Sequence, residues 1–484
     1  MKKRWLLGIL GMLCVATCAA GFAACEDEKY IGSQGLAYEL SADGTYYSVT
    51  GMGSCTDTDL IIPAKHKGLY VKSIAKQAFS GAYLKSISFS PKSQLTTIGD
   101  AAMNYLVGVT EIDLPDTVTT IGKSAFADCR NLTEIYCGDA VKNVGEYAFS
   151  GCAKLENISF GENSRVEKVE KYAFYGCNKL TEIDFGGGVT NIAEYAFYEC
   201  DNLTNVSFGE NRRLENVGKY AFYDCSNLTE IDFGGGVTNI DEYAFYGCKK
   251  LTNVSFGEES RLENVEKYAF YNCNNLTEID FADSGVDVGE YAFYNCTELN
   301  VVFGEESRLE SVEKYAFYGC GNLTGVAIAD SVTNIGDYAF YGCGNLTEVF
   351  CEGNGWIESV GKYAFYECYN LMEICLAESV TIISEYSFYG CTNLTNIWRL
   401  ENGRLDNVEK YAFYGCANLT EINFVDDVTN VKEYVFYNCK NLEAVSFGEN
   451  SSLTTIEKYA FYGCKFSEIN LPDTVTSIGE YAFV

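Results

Sequence analysis

The sequence predicts a repeat solenoid, a right-handed coil of about eighteen turns of 23–25 residues, and three observations predict it. The frame Tyr-Ala-Phe-x-x-Cys, as in "EKYAFYGC" ending at Cys177 and "AEYAFYEC" ending at Cys200, recurs along most of the 484 residues. Its phenylalanine, with Met103 standing in once, holds equivalent positions from Phe79 to Phe483, and from Phe126 the spacing alternates 23 and 25 with few slips. A unit this short cannot bury its own apolar side, so neighbouring turns must stack into one continuous core.

In chain order, residues 1–24 read as an export signal. Lys2, Lys3 and Arg4 are the basic start, "WLLGILGMLCVATCAAGFAA" is the apolar stretch, and small residues precede Cys25. "FAAC" resembles the lipobox of bacterial lipoproteins, with Phe22 where an aliphatic residue is expected. That resemblance implies lipidation at Cys25 and a membrane attachment through the lipid anchor only; secretion after cleavage at a nearby small residue is the alternative. Residues 25–34 are then a lipid-anchored linker, 35–72 a β-rich N-terminal cap, and 73–484 the solenoid. The chain stops at Val484, just after a repeat phenylalanine, without the polar closing cap that a solenoid normally requires. A continuation beyond Val484, a frayed last turn, or cover by a partner are the three expectations there.

One turn reads "KLTEIDFGGGVTNIAEYAFYEC", from Lys179 to Cys200. Leu180, Ile183 and Phe185 follow L-x-x-L-x-L spacing and end in strand-like alternation, whereas Ala196, Phe197 and Cys200 fit a short helical turn. The unit resembles a leucine-rich repeat. More narrowly, "LPDTVTTIGKSAFADC" (Leu114 to Cys129), "LPDTVTSIGEYAF" (Leu471 to Phe483) and the leading "GLAYELSADGTYYSVTGMGSCTDTDLIIPAKHKGLYVKSI" are similar to the BspA-like leucine-rich repeat family, over residues 35–484. The resemblance implies a bacterial surface protein, in a family that includes adhesins toward host matrix proteins.

Charge organises the turns. Three residues before the repeat phenylalanine stand Lys171, Glu194, Lys219, Glu242, Lys267 and Glu290, and the sign alternates without exception from Lys76 to Glu480. With turns about 4.8 Å apart, each charge is expected between two of opposite sign, whereas identical turns would place like charges side by side. Outward strand positions alternate too: Glu182 and Asp184, then Asn205 and Ser207, then Glu230 and Asp232. The formal net charge is -32, and loss of Lys2, Lys3 and Arg4 with the signal takes it to about -35. Such a surface repels nucleic acid and anionic headgroups and suits basic partners or divalent cations better.

The chemistry-bearing residues mostly resolve into packing. His66, the one histidine, lies outside the main repeat, so no histidine-centred triad or relay can run along it. Fifteen of the 22 cysteines, Cys129 to Cys464, stand three residues after the repeat phenylalanine, where a buried hydrophobe belongs, and no C-x-x-C pair occurs. Free buried thiols are expected. The acid pairs recur only every second turn on a flat strand surface, which suits solvated acids better than a calcium cup. "IGKS" at 121–124 lacks the leading glycine of a phosphate loop, and "NLT" at 202–204 is read as turn and first strand positions rather than a glycosylation site. No cofactor or metal is expected, and an enzyme is not expected.

One region breaks the pattern. The outward residue between the last two buried strand positions runs Asp184, Ser207, Asp232, Ser255, but later Ala327, Phe350, Cys375 and Trp398, before Asn423 and Ser446. Trp356 falls in the same stretch, and Met372 replaces the usual threonine. Exposed apolar patches mark binding sites, so Phe350, Trp356, Met372, Cys375 and Trp398 are the candidate ligand-binding residues; repeat decay is the alternative. The expected function is a cell-surface recognition protein, an adhesin for host or matrix protein or glycan, with a surface spacer or scaffold as the alternative.

Overall fold

The computed structural model describes residues 32–484 except 162, 210–212, 258–259, 282–284, 303–307, 330, 352–356, 377–381, 399–406, 425 and 427. Each turn starts from alternation. In Asn205–Ser207, Val206 is buried between outward Asn205 and Ser207, with Leu203 and Phe208 buried on either side. This strand pairs in parallel with Glu182–Asp184 before it and Glu230–Asp232 after it, in register. Register is forced here, because a slip of one residue would turn the whole buried set outward.

A second strand follows, two residues long in most turns and longer at Gly285–Val288 and Arg308–Val312. Asn191–Ile192, Asn216–Val217 and Asn239–Ile240 pair in parallel and bury their second residue. The two extra residues of a 25-residue turn fall between the first strand and this one. They lengthen a surface loop and leave both ladders in step.

The short helical turn expected at the Tyr-Ala-Phe-x-x-Cys segment is not a helix; no helix occurs among the described residues. Its amides alternate. The N–H groups of Tyr220, Phe222 and Asp224 donate to carbonyls of the next turn, at Glu242, Ala244 and Tyr246, at 3.1, 2.7 and 2.8 Å. Those of Ala221, Tyr223 and Cys225 close back within their own turn on Gly218, Tyr220 and Phe222. A helix would send every N–H the same way along its own axis, which leaves none for the neighbouring turn. Alternation instead places the repeat tyrosine in left-handed backbone, as at Tyr195, Tyr220 and Tyr243 with φ of 57–59°. The residue before each cysteine is left-handed as well, which accounts for Gly247, Asn272, Asp224 and Gly319 at that place.

The core is a set of columns. The repeat phenylalanine rings stack from Phe126 to Phe483, for example Phe222 on Phe245 at 5.0 Å and Phe245 on Phe270 at 5.1 Å. Beside them a second column runs Phe160, Phe185, Phe208, Phe233 and Phe256 at 5.4–6.3 Å. Every cysteine whose side chain is described is a free thiol, and all of these but the half-buried Cys464 are buried. The thiols are not mere filler. Each ladder Sγ–H, from Cys129 to Cys464, donates to the carbonyl of the repeat phenylalanine (for Cys129, of Met103) one turn back, as Cys225 does to Phe197 at 3.1 Å and Cys248 to Phe222 at 3.1 Å. The phenylalanine carbonyl also accepts the cysteine N–H of its own turn, so cysteine supplies apolar volume and a donor where valine would supply only volume.

At the N-terminal end, Ala37–Leu40 and Tyr47–Gly51 form an antiparallel hairpin, and Tyr47–Gly51 pairs in parallel with Leu69–Ile74. Leu69–Ile74 leads into the second-strand ladder through Thr97–Ile98, and Asp59–Ile62 pairs with Ser86–Phe89 at the head of the first. The hairpin thus covers the edge that the first repeat strand would otherwise expose. His66 stacks on Tyr38 at 3.8 Å in this cap, and burial lowers its pKa. Cys25 lies outside the described residues.

Candidate binding surface

Because every turn repeats one geometry, each outward position becomes a row along the axis. The charge row is the first. Lys123 meets Glu146 at 2.8 Å, Lys171 meets Glu194 at 2.6 Å, Lys362 meets Glu385 at 3.3 Å, and Lys219 and Lys267 bond Glu242 and Glu290. All these pairs span 23 residues. Among the described residues of this row the 25-residue interval is bridged in one place, where Glu433 takes both Lys410 at 3.4 Å and Lys458 at 3.5 Å. The expected continuous ladder is therefore a row of pairs. The facing carboxylate pushes Lys123, Lys171, Lys219, Lys267 and Lys410 above the ordinary range, as Glu194 does to Lys171 through a hydrogen bond. Asp337, shorter than a glutamate, meets Lys314 only at 4.0 Å, and both Asp100 and Asp337 accept a backbone N–H, of Lys123 and Lys362, at 3.0 and 2.8 Å.

Two further rows are aromatic and half-buried. The first tyrosine of the frame stacks from Tyr147 to Tyr481, and the second from Tyr175 to Tyr462. An amide row follows. The side chains of Asn345, Asn370, Asn393, Asn418 and Asn441 each donate to the asparagine one turn back, at 3.3–3.5 Å, beginning at Asn322. These are the asparagines of the Asn-Leu-Thr triplets and their variants. The threonine hydroxyls form a row of their own, Thr204 donating to the Thr181 carbonyl at 2.8 Å and Thr347 to the Thr324 carbonyl at 2.9 Å.

The first-strand face carries the acids and amides. Glu182 pairs with Asn205 and Asp184 with Ser207, so acidic turns are separated by neutral ones. A depression on this face is lined by the polar Asn205, Ser207, Glu230, Asp232, Asn253 and Ser255 together with Val206, Phe208 and Ile231. Among the described residues, no group of three or more His, Cys, Asp or Glu side chains is placed to hold a metal ion.

The face changes at residues 325–398. Gly325 to Ile328 pair residue for residue with Glu348 to Cys351, setting Phe350 beside Ala327. The Phe350 ring is 50% exposed, and its Cε2 lies 3.8 Å from where a side chain at Gly325 would begin. Gly325 and Ala327 thus leave a low shelf next to the ring. Val349 pairs with Ile374 and Cys375 with Trp398, so positions 327, 350, 375 and 398 belong to one outward row by register. Met372, 48% exposed, takes a threonine's place; its N–H and carbonyl keep the ladder to Thr347 and Thr395, but it breaks the hydroxyl row. Trp356 and the side chains of Cys375 and Trp398 lie outside the described atoms.

The match at sequence level decides the family. The sequence model of the BspA type leucine rich repeat region fits this chain in six copies, over residues 54–166, 167–300, 263–395 and 358–484. The chain belongs to that family. Solved structures similar to it include a leucine-rich repeat protein from Bacteroides ovatus, 24% identical, covering 90% of this chain and 98% of that one, with a TM-score of 0.47. A leucine rich cell surface protein from Faecalibacterium prausnitzii A2-165 is 19% identical over 88% and 96%, with a TM-score of 0.32. The pneumococcal vaccine antigen PcpA is 18% identical over 93% of each chain, with a TM-score of 0.29. No curated protein matches the sequence.

On this BspA-type scaffold, the apolar stretch includes a residue that sequence reasoning missed. Tyr369 is 46% exposed, and its ring edges lie 3.8 and 3.9 Å from where side chains at Gly344 and Gly390 would begin. Burial and a hydrogen bond to Glu367 push its phenol up to about 12. The signal was present, since Tyr369 occupies a position held by Asn178, Ser226, Gly344 and Thr392 in other turns. The tyrosine rows were missed for the opposite reason. Their frame is so regular that it reads as packing.

Proposed function

We propose that this chain is a bacterial cell-surface recognition protein, an adhesin that holds host or matrix protein or glycan against its repeat surface, without catalysis or a cofactor. The observation that carries the reading is the exposure of Phe350 and Met372 on a face that carries outward acids, amides and hydroxyls in earlier turns, as from Glu182 to Ser255. An aromatic ring beside a Gly325–Ala327 shelf offers a partner apolar contact area at little cost in side-chain ordering. The net charge of -32 favours neutral or basic ligands over nucleic acid. Positions 375 and 398 extend the same row, and Trp398 and Trp356 would enlarge the anchor.

The test is binding of the purified chain to arrays of matrix proteins and glycans, followed by the Phe350→Ser, Trp398→Ser double variant on whichever ligand is found. Hot-spot aromatics carry at least about 2 kcal/mol each, so affinity should fall about tenfold or more per residue with the circular dichroism spectrum unchanged. Full binding by the double variant would overturn the patch. Silence across all arrays would favour a surface spacer, a role the closely paired charge row also suits. Display at the surface rests on Cys25 as the lipid-bearing residue. Cys25→Ala should therefore release protein to the medium or leave an uncleaved precursor, and unchanged membrane partitioning with unchanged processing would rule the anchor out.

A further inference from the structure

The two tyrosine columns are the most extensive chemically reactive feature on the molecule, and neither folding nor ligand binding as argued above makes use of their phenol groups. In the first column neighbouring ring centroids lie 4.5–5.1 Å apart with planes within 3–16° of parallel, as for Tyr220 on Tyr243 at 4.8 Å and 11°. The second column repeats this at 4.6–5.3 Å. Each ring is held from its backbone: the Tyr220 N–H is bound to the Glu242 carbonyl at 3.1 Å, and its carbonyl takes the Tyr223 N–H at 3.3 Å. From Tyr147 to Tyr462 the stacked tyrosines are half-buried, with ring faces against their neighbours, and Tyr481 at the end is exposed. The ladder thiols, the usual first casualties of oxidation, are buried with their S–H groups bound to carbonyls.

We propose that these columns are a site of oxidative cross-linking, in which tyrosines of consecutive turns are joined carbon to carbon within one chain, with hydrogen peroxide as oxidant acting through a haem peroxidase. Each of two neighbouring phenols gives up one electron and one proton. The two phenoxyl radicals couple by forming a bond between ortho carbons, and each ring regains aromaticity by losing its ortho hydrogen as a proton while its oxygen takes one up. Two phenols thus become one biphenol, and the two electrons and two protons reduce one peroxide to two waters. Stacking supplies the proximity: a radical formed on one ring already has its partner at contact, so coupling requires a tilt of the rings and no search through solution. Such links rivet turn to turn along the outside of the solenoid.

The experiment treats the purified full chain, at dilution, with a haem peroxidase and limiting peroxide, reads dityrosine fluorescence, and maps linked peptides by mass spectrometry. Links are expected between equivalent tyrosines one turn apart, such as Tyr220 with Tyr243, in a chain that still migrates as a monomer. Their yield should be several-fold higher than in the same chain unfolded in urea. The variant Tyr195→Phe, Tyr243→Phe, Tyr291→Phe keeps the ring stack but leaves no adjacent phenol pair in the first column between residues 172 and 315, so first-column links there should vanish while those of the second column persist. Links chiefly between chains, links joining distant tyrosines, an equal yield in urea, or no dityrosine at all would each overturn the proposal.

Discussion

At the scale of single residues, the repeat works because each buried side chain has an equivalent directly above and below it. Phe245 shows the consequence. Its ring lies between Phe222 and Phe270, edge-on to Phe233, and is fully buried. Phe245→Ala removes contacts on both faces at once, and stacked turns hydrogen-bonded on three sides have little freedom to collapse into the space. A loss of about 3–5 kcal/mol in unfolding free energy is expected from urea denaturation. A loss under about 1 kcal/mol would mean that the column is not continuous core. Cysteine follows the same logic with one addition, the S–H bond that ties each turn to the one before it. The tyrosine backbone at positive φ is the corresponding strain, of order 1 kcal/mol for a residue with a Cβ, and from Tyr147 to Tyr459 each such tyrosine gains an inter-turn hydrogen bond in return.

At the scale of the element, the turn is a three-segment unit, two parallel strands and one alternating-amide turn, each bonded to the next repeat. The charge row sits on the last of these. Its pairs are about half exposed, so each contributes only about 0–1 kcal/mol and the row sets register more than stability. The pairing by 23-residue intervals gives a sharp expectation. Lys219→Glu places acids in three consecutive turns with Glu194 and Glu242, and should lower the urea midpoint, less so at high salt. Adding Glu242→Lys restores the one contact the structure shows for this pair and should recover most of the loss. In a continuous ladder the double swap would instead set the new acid against Glu194 and the new lysine against Lys267, and no recovery would be seen.

At the scale of the whole molecule, many identical groups titrate together. Burial pushes the thiols of Cys177 and Cys464 up to about 12 against an ordinary 9.0, and the phenols of Tyr223 and Tyr366 to about 12 against 10.0. The folded chain holds these protons more tightly than the unfolded chain does. Below about pH 9 both states keep them and stability is indifferent; above it the unfolded state loses protons first, so stability falls through the thiol window and then the phenol window toward about pH 12. Repetition along two columns makes the fall steep. The urea midpoint should be flat from about pH 7 to 8.5 and drop sharply by about 10.5, and a midpoint that holds at the higher pH would contradict the burial of these groups.

The stacked architecture was legible in the sequence because a period of 23 and 25 residues leaves apolar side chains only one way to be buried, against the next copy. The columns of Phe126 to Phe483, the register of Glu182 on Asn205 and the burial of Cys129 to Cys439 all follow from that. The apolar interruption at Phe350 and Met372 was legible for the same reason, since a repeat defines its own exceptions. What the tertiary structure alone decided is how the backbone hydrogen bonds are shared out. Ala196, Phe197 and Cys200 have helical spacing, and nothing local forbids a helix. The choice is made by the neighbouring turn, whose carbonyls claim every second N–H, drive Tyr195 to φ of 59°, and so line the tyrosines of successive turns ring upon ring. The same competition explains the charges: alternation of sign is written in the chain, but which lysine reaches which acid depends on the offset between stacked turns, a distance that no single turn contains.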